Sequence, residues 1–533
     1  MAHLITNVLV ADGDGSPPDA VDVRIEGDTI AEIRPATGGA DRPREPGDTV
    51  LDGRGRLLMP GFVDAHAHAD GRLFDPDVQL ALLRQGVTTV IGGQDGVSYA
   101  PGDGGYASEY FAAINGPHPS YRGGGIGALL AGYDGVTPVN ASMLVPAGTV
   151  RRLVCGRSTD AASAAELERM TALVADGLDD GALGLSTGLD YVPGAFATTA
   201  ELAAIAAPVA GVGGVYVSHM RGGYEANSAA GIAEIAAIAR HAGVRVHVSH
   251  FHAEPSIVHA LLGELVAAGV DASFDAYPYT RGCSILAMPI LPAELTVRPL
   301  HEVLAVLADP DQRERLRTEW FPAIARYASL GPEWPSMITL AHVAAPDYAW
   351  AHGMTIAAAS DRAGTDAARF TLDLLLASRL EVNVVMAVPH ERGDAELASI
   401  LTHPAAIGGS DGIFVGAHPH PRARGTFARY LRSLVVDRAA LSWADAAALV
   451  STRAADRFGL GRRGRVHTGW IADLALVDPG SVRDTATYEH PLALAEGIDD
   501  VFVAGVPVLA AGALTGATPG RGIRRTDRTT EGA

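Results

Sequence analysis

The chain of 533 residues contains no lysine, because all 41 of its basic residues are arginine. This absence excludes a Schiff base, a P-loop lysine and any lysine-derived metal ligand. Only two cysteines are present, Cys155 and Cys283, so no disulfide framework is expected, which fits a reducing compartment. No run of about 18 consecutive apolar residues occurs, so we expect no segment that spans a membrane.

Positive charge is also scarce, since 61 acidic residues outnumber the basic ones and give a net charge of −20. This balance argues against nucleic acid or an anionic membrane as the main partner and leaves a small molecule as the expected one. The N-terminal residues lack a basic stretch followed by an apolar one, so we expect no signal peptide and a cytoplasmic protein. Apolar residues make up 48% of the chain, enough for a large core.

The two ends of the chain differ from its middle. Residues 1–59 and 465–516 are short β-branched runs separated by Asp/Gly turns, whereas residues 60–464 alternate short apolar runs with Ala-rich helical stretches. Such alternation predicts a parallel sheet with helices on its faces. Helical segments interrupt it at about 287–400, an insertion before the last strand that forms either a lid or a subdomain without catalytic role. Residues 517–533 are predicted to be a disordered tail.

The motif GFVDAHAHAD places His66 and His68 two residues apart at the end of an apolar run. Residues two apart on a strand face the same side, so both imidazoles enter one space. That arrangement suits two nitrogen ligands of one metal ion. The alternative is a pair of surface histidines at the end of a strand.

Four more candidate ligands follow apolar runs in the same way, namely Asp95, His219, His250 and Asp411. In a (β/α)8 barrel the carboxyl ends of the strands share one face, so we expect these side chains to converge. Imidazole and carboxylate ligands without thiolate suit Zn²⁺, as one or two ions, with Mn²⁺, Fe²⁺ or Co²⁺ as other possibilities. Asp411 is the candidate catalytic residue, which takes a proton from water and delivers it to a leaving amine.

A family resemblance is carried by MPGFVDAHAHAD, QGVTTVIGG, GALGLSTGLDYVPGAFATTAEL, YVSHMR, VSHFHA, FDAYPYT, GGSDG and HPHPRARGTF. These segments resemble the amidohydrolase superfamily, and within it the N-acyl-D-amino-acid deacylase (D-aminoacylase) family, and the resemblance runs over nearly the whole chain. The resemblance implies an α/β fold, a (β/α)8 TIM-like barrel beside a small β-sandwich built from both chain ends. It also implies hydrolysis of a linear amide, with an N-acyl-D-amino acid or analogue as substrate.

The same resemblance assigns roles to single residues. It makes His66, His68, His219 and His250 metal ligands and Asp411 the catalytic aspartate. Arg422 is expected to meet the substrate carboxylate, and Tyr279 to contact the substrate. The alternatives are a surface arginine in a Pro-rich loop and a tyrosine packed at the barrel mouth.

This chain departs from the family pattern at three positions. Asp95 stands where the family usually has a cysteine ligand, and because a carboxylate can bridge two ions, a dinuclear site is favoured. His252 stands where a lysine often reaches the substrate carboxylate, and Ala147 replaces a histidine in PAGT. The last two changes bear on substrate binding and leave the hydrolytic residues untouched.

Two other functions are compatible with parts of this pattern. A cyclic-amide hydrolase of the hydantoinase or dihydroorotase kind is disfavoured, because those relatives commonly bridge their metals with a modified lysine. A non-catalytic scaffold of the same fold would predict a broken ligand set, whereas all the candidate ligands are present.

Overall fold

Eight short parallel strands form a barrel at the centre of the computed structural model, which describes residues 2–36, 47–326 and 329–525. We label the barrel strands Phe62–Asp64 (β1), Val87–Gly92 (β2), Asn140–Met143 (β3), Gly184–Gly188 (β4), Val215–His219 (β5), Arg245–Val248 (β6), Ala272–Ala276 (β7) and Ala406–Gly408 (β8). After Leu144, β3 continues as Val145–Pro146, which pairs with β4. Runs such as β2 and β4 are buried along their whole length, as expected for parallel strands covered on both faces.

Backbone hydrogen bonds join these strands around the barrel. The pairing order is β1–β2–β3 on one side and β4–β5–β6–β7–β8 on the other. The Ala65 N–H donates to Gly408 O at 3.1 Å between β1 and β8, and the Leu183 N–H donates to Met143 O at 2.9 Å between β3 and β4. The carboxyl ends of all eight strands therefore lie at one face, where barrels carry their active sites.

Helices connect the strands and cover the outside of the barrel. Ala164–Asp179 and Thr199–Gly211 each begin at a capping box, Ser163 with Glu166 and Thr198 with Glu201. The other α-helices outside the insertion are Pro76–Leu83, Gly105–Tyr110, Ala112–Asn115, Ile126–Ala131, Ala147–Cys155, Ser228–Ala242, Pro255–Ala267, Asp394–Leu401, Arg422–Arg429, Trp443–Ala447 and Arg453–Phe458. Among the described residues, no helix has the length and apolar character needed to cross a membrane.

Strands from both chain ends form one nine-stranded sheet beside the barrel. The strand Leu474–Val477 pairs antiparallel with Leu57–Pro60 and so joins the two ends. The remaining strands are Ala2–Val10, Asp19–Glu26, Thr29–Pro35, Thr49–Asp52, Ile498–Val503, Val506–Ala510 and Ala513–Leu514. The α/β class expected from the sequence is observed, and the limits 1–59, 60–464 and 465–516 stay predictions.

The insertion before β8 has an apolar core of its own, which includes Val303, Phe370 and Val384. Beyond the predicted helices it contains an antiparallel sheet of Gly282–Ile285, Ile338–Val343 and Val382–Met386, two of which are β-branched runs. Its helices are Ala287–Ile290, Ala293–Thr296, Leu300–Ala308, Pro310–Arg315, Phe321–Ile324, Trp334–Met337, Ile356–Ala363 and Ala367–Ala377.

The C-terminal segment differs from the predicted disorder over residues 517–525. The N–H groups of Gly520 and Ile523 donate to Thr137 O at 2.8 Å and to Ala141 O at 2.7 Å, at the start of β3. Ile523 is 1% exposed and packs with barrel residues such as Leu183. One buried isoleucine thus fixes a segment whose other residues are polar or small, and residues 526–533 of the predicted tail lie outside the described residues.

We expect Ile523→Ala to lower the free energy of unfolding by about 2–4 kcal/mol, because truncation of a buried isoleucine leaves a cavity. The shift should appear as an earlier urea midpoint. Leu492→Ala is the matched control, since Leu492 is 48% exposed and its truncation should change stability by less than about 0.5 kcal/mol. Equal midpoints for the two variants would contradict the packing of Ile523.

Candidate metal centre

The carboxyl end of β1 carries His66 and His68 into the mouth of the barrel. The short strand Ala67–His68 pairs with Gly412–Ile413, and the Asp411 N–H donates to His66 O at 2.7 Å. This pairing brings Asp411 Oδ1 to 3.3 Å from His68 Nε2 and 3.7 Å from His66 Nε2. Two segments that are more than 300 residues apart therefore meet at one point.

The turn after β2 presents Asp95 to the same space. Asp95 has φ +53° and lies between Gly93, at φ +71°, and Gly96, at φ +68°. These three residues therefore have a left-handed backbone conformation. A Cβ on Gly93 would lie 2.5 Å from Leu144 O, and a Cβ on Gly96 would lie 2.9 Å from Gly188 N. The sequence GGQDG is therefore needed to bring the Asp95 carboxylate between neighbouring strands.

The Asp95 carboxylate lies between four imidazoles. Its Oδ1 is 3.6 Å from His66 Nε2 and 3.7 Å from His250 Nε2. Its Oδ2 is 3.6 Å from His68 Nε2 and 3.7 Å from His219 Nδ1. These separations are too long for hydrogen bonds, but they are close to the roughly 3.3–3.5 Å expected between two ligands of one tetrahedral zinc ion. Each oxygen thus faces its own pair of histidines.

Two buried atoms of this group have no hydrogen-bond partner among the described residues, Nε2 of His66 and Oδ1 of Asp95. The ligand atoms of His66, His68 and Asp411 lie within 4.8 Å of one another, and so do those of His66, Asp95 and His250. Because buried polar atoms without partners are rare, a bound cation would supply the partner that both atoms lack. The donor set of imidazole and carboxylate fits zinc.

Asp275, which the sequence analysis did not single out, contacts the imidazole of His66 and the backbone of His250. It lies near the end of β7, and its Oδ2 is 3.4 Å from His66 Nδ1 and 2.9 Å from His247 Nε2. Its Oδ1 accepts from the His250 N–H at 2.8 Å. Metal-binding histidines commonly use their second nitrogen in this way, which leaves His66 Nε2 free for the ion. Its position in FDAYPYT, near the end of an apolar strand, is the signal that could have found it.

Asp190 has the same relation to His219. Its Oδ2 lies 3.2 Å from His219 Nε2, while His219 Nδ1 faces Asp95. His219 Nδ1 is also 3.2 Å from His250 Nε2. Asp190 belongs to the segment GLDYVPG, which the sequence analysis used only as part of the resemblance.

Arg422 is buried and forms an ion pair with the proposed catalytic aspartate, at 2.8 Å from Arg422 Nη2 to Asp411 Oδ2. Burial raises the pKa of Asp411, but Arg422 and the nearby histidines outweigh it and lower this pKa to about 2. Asp411 is therefore a carboxylate at neutral pH and can accept a proton. The sequence analysis expected Arg422 at the substrate and did not foresee this pair.

The tyrosine beside Arg422 is Tyr277, which the sequence analysis passed over in favour of Tyr279. The Arg422 guanidinium lies 4.4 Å above the Tyr277 ring, and the centroid of the His252 ring lies 4.4 Å from that of the same ring. Tyr279 is engaged elsewhere, because its hydroxyl donates to Asp484 at 3.2 Å. The structure thus brings Arg422 and His252 together and does not bring Tyr279 to them by any contact among the described residues.

Comparison with known proteins agrees with this geometry. The model of the amidohydrolase family matches residues 49–316. A D-aminoacylase of Alcaligenes xylosoxydans xylosoxydans is 30% identical over 98% of this chain and 97% of its own length. A structure of D-aminoacylase from work on its binuclear metal centre has a TM-score of 0.79 at 27% identity and covers 98% of this chain and 99% of the other. An N-acyl-D-glutamate deacylase of Bordetella bronchiseptica, complexed with zinc and a phosphonate inhibitor, has the same TM-score and coverage at 28% identity. The chain belongs to the amidohydrolase family and, within it, to the N-acyl-D-amino-acid deacylases.

Proposed function

We propose that this protein is a metal-dependent amidohydrolase that removes the acyl group from an N-acyl-D-amino acid, with a carboxylate and a free amine as products. The proposal rests above all on the Asp95 carboxylate, which faces two pairs of histidines beside the Asp411–Arg422 ion pair. It agrees with the family and with the names of the relatives. We propose the reducing cytoplasm as its location, because both cysteines are free thiols.

The ligands that we assign to the metal are His66, His68, Asp95, His219, His250 and Asp411. When bound there, zinc supplies a Lewis acid that polarises the acyl carbonyl and lowers the pKa of water to about 7. Asp275 holds the imidazole of His66, and Asp190 that of His219, in the orientation needed for metal binding. Each carboxylate oxygen of Asp95 faces a different pair of histidines, so Asp95 is the residue that could bind two ions at once.

Asp411 is the group that moves protons. It lies beside His68 and His66 through Oδ1 and is held through Oδ2 by Arg422. As an ionised carboxylate, it accepts the proton of the attacking water and then delivers it to the leaving nitrogen. Arg422 keeps the carboxylate ionised and in place, and it has further N–H groups, Nε and Nη1, that make no hydrogen bond among the described residues. These donors, with His252 and Tyr277, would face the substrate.

The function is tested by metal analysis and a substrate panel on the purified protein. We expect about one to two equivalents of zinc or another divalent metal and loss of activity upon chelation. N-acyl-D-amino acids should be hydrolysed, with N-acyl-L-amino acids and a hydantoin as the comparison substrates. Full activity without metal would contradict the mechanism, and hydrolysis of the hydantoin alone would show a cyclic-amide hydrolase instead.

A further inference from the structure

Two buried aspartates, Asp64 and Asp70, flank the motif HAH of residues 66–68. They are 0% and 2% exposed, and their side chains accept hydrogen bonds from backbone N–H groups and serine hydroxyls. A buried carboxylate lowers stability unless its oxygens are well bonded. The groups bonded to these oxygens therefore indicate what each aspartate does.

Asp64, at the carboxyl end of β1, binds the residue that precedes Asp411. Its Oδ1 accepts from the Ser410 N–H at 2.8 Å and from the His66 N–H at 3.2 Å, and its Oδ2 accepts from the Ser410 hydroxyl at 2.5 Å. The Ser410 Oγ in turn accepts from the Gly412 N–H at 3.0 Å. The contact between Asp64 and Ser410 therefore fixes the Asp411 turn on both sides.

Asp70 makes equivalent contacts with the turn that carries Asp95. Its Oδ2 accepts from the Gly93 N–H at 3.1 Å and from the Ser98 hydroxyl at 2.6 Å. Gly93 precedes Asp95 and Ser98 follows it, so one carboxylate oxygen joins the two ends of this turn. A Cβ on Gly92 would lie 2.5 Å from Asp70 Oδ1, so the glycine allows this close approach.

The two turns need such support because of their backbone conformation. Asp95 has φ +53° and Asp411 has φ +48°, and a residue other than glycine keeps this conformation only where its surroundings hold it. Without the hydrogen bonds from the flanking aspartates, each turn can relax and displace its carboxylate. A displacement of about 1 Å in a reacting group can lower a rate about 100-fold.

We propose that Asp64 and Asp70 are positioning residues for the two acidic members of the metal centre. Asp64 acts on Asp411, the group that moves protons. Asp70 acts on Asp95, the group between the two pairs of histidines. The inference rests on the proposed function and adds a division to it: the aspartate before the HAH motif governs proton transfer, and the one after it governs metal affinity.

Zinc affinity is the readout for the Asp70 contact, measured as the zinc that a chromophoric chelator removes from the loaded protein. Ser98→Ala should lower this affinity about 10-fold and Asp70→Ala about 10–100-fold, the usual effect of losing an indirect partner of a metal ligand. Asp70→Asn should retain the affinity, because both contacts of Asp70 go to one oxygen and an amide oxygen can replace it.

The rate at saturating zinc is the readout for the Asp64 contact. Ser410→Ala removes the hydroxyl that donates to Asp64, so it should lower kcat by about 10–100-fold with little change in KM. The substrate is the N-acyl-D-amino acid that the wild-type protein hydrolyses fastest. The zinc affinity of Ser410→Ala should fall less than that of Ser98→Ala, whereas its kcat at saturating zinc should fall more.

Ser142→Ala is the matched control. Ser142 is also buried, and its hydroxyl donates to Ile523 O at 2.9 Å, outside both turns. This variant removes a buried serine hydroxyl in the same way but should leave zinc affinity, kcat and KM unchanged.

Several outcomes would overturn the proposal. Wild-type zinc affinity in both Ser98→Ala and Asp70→Ala, or wild-type kcat in Ser410→Ala, would refute the corresponding contact. Equal losses of affinity and rate in Ser98→Ala and Ser410→Ala would show a general structural role instead. If the wild-type protein hydrolyses no N-acyl-D-amino acid, the proposed function is wrong, and zinc affinity alone then decides the role of Asp70. An active wild type whose variants all behave like Ser142→Ala refutes only this inference.

Discussion

Asp411→Asn should lower kcat by roughly 10²–10⁴, the usual contribution of a general acid–base group, with little change in KM. The amide of asparagine cannot take the proton of the attacking water, although its size and its place beside Arg422 are retained. Steady-state kinetics on the zinc-loaded variant, together with its metal content, would measure the effect. The metal content matters because Asp411 is also assigned as a ligand.

The matched control is Asp437→Asn, which breaks an ion pair between Arg432 and Asp437 at the surface. This variant should keep wild-type kcat and KM. If Asp411→Asn binds metal normally and turns over at the wild-type rate, another group moves the proton and the role of Asp411 is refuted. A loss of metal in step with the loss of rate would instead make Asp411 mainly a ligand.

Asp95→Ala should lose metal as well as activity. Its carboxylate is the only group placed between both pairs of histidines among the described residues, and loss even of an indirect partner of a metal ligand reduces affinity about 10–100-fold. We therefore expect the affinity for at least one ion to fall by more than about 100-fold. Asp95→Cys should keep one tightly bound zinc, because thiolate is a good zinc ligand.

A second group of two aspartates and a histidine, of which only Asp14 is exposed, provides the control for Asp95. Asp12, Asp14 and His467 also place ligand atoms within 4.8 Å of one another, but Asp14 already pairs with Arg465 at 2.7 Å. Asp14→Ala should leave metal content unchanged by elemental analysis. Full metal content and turnover in Asp95→Ala would show that Asp95 is a loop residue and that the ligand set must be redrawn.

The sequence predicted the α/β class and the sharing of one side by His66 and His68 because both depend on local patterns, whereas the barrel itself was implied by the family resemblance. Alternation of apolar runs with helices predicts the class of fold, and a spacing of two residues on a strand predicts that His66 and His68 share a side. Neither inference requires knowledge of which strands are neighbours. The metal ligands could therefore be proposed from one sequence, with Asp411 as the most distant member.

The partners of these ligands could not be predicted, because they depend on tertiary pairing and on unusual backbone. Asp95, His250 and Asp411 have φ of +53°, +33° and +48°, a conformation that sequence patterns of non-glycine residues do not indicate. Asp275 contacts His66 across more than 200 positions. Only the folded barrel shows that Tyr277, two residues from the predicted Tyr279, lies beneath Arg422.

The position of Ile523 has a consequence for synthesis of the protein on the ribosome. Ile523 fills part of the barrel interior with Val63, Leu183 and Val217, residues that emerge hundreds of positions earlier. In the nine-stranded sheet, Leu57–Pro60 pairs with the earlier strand Ala2–Val10 and gains its second partner, Leu474–Val477, only when that later strand has been made. The barrel can start to fold as it emerges, but its interior is completed only when residue 523 has been made. The packing around Ile523 is therefore completed only after all eight barrel strands have been synthesised.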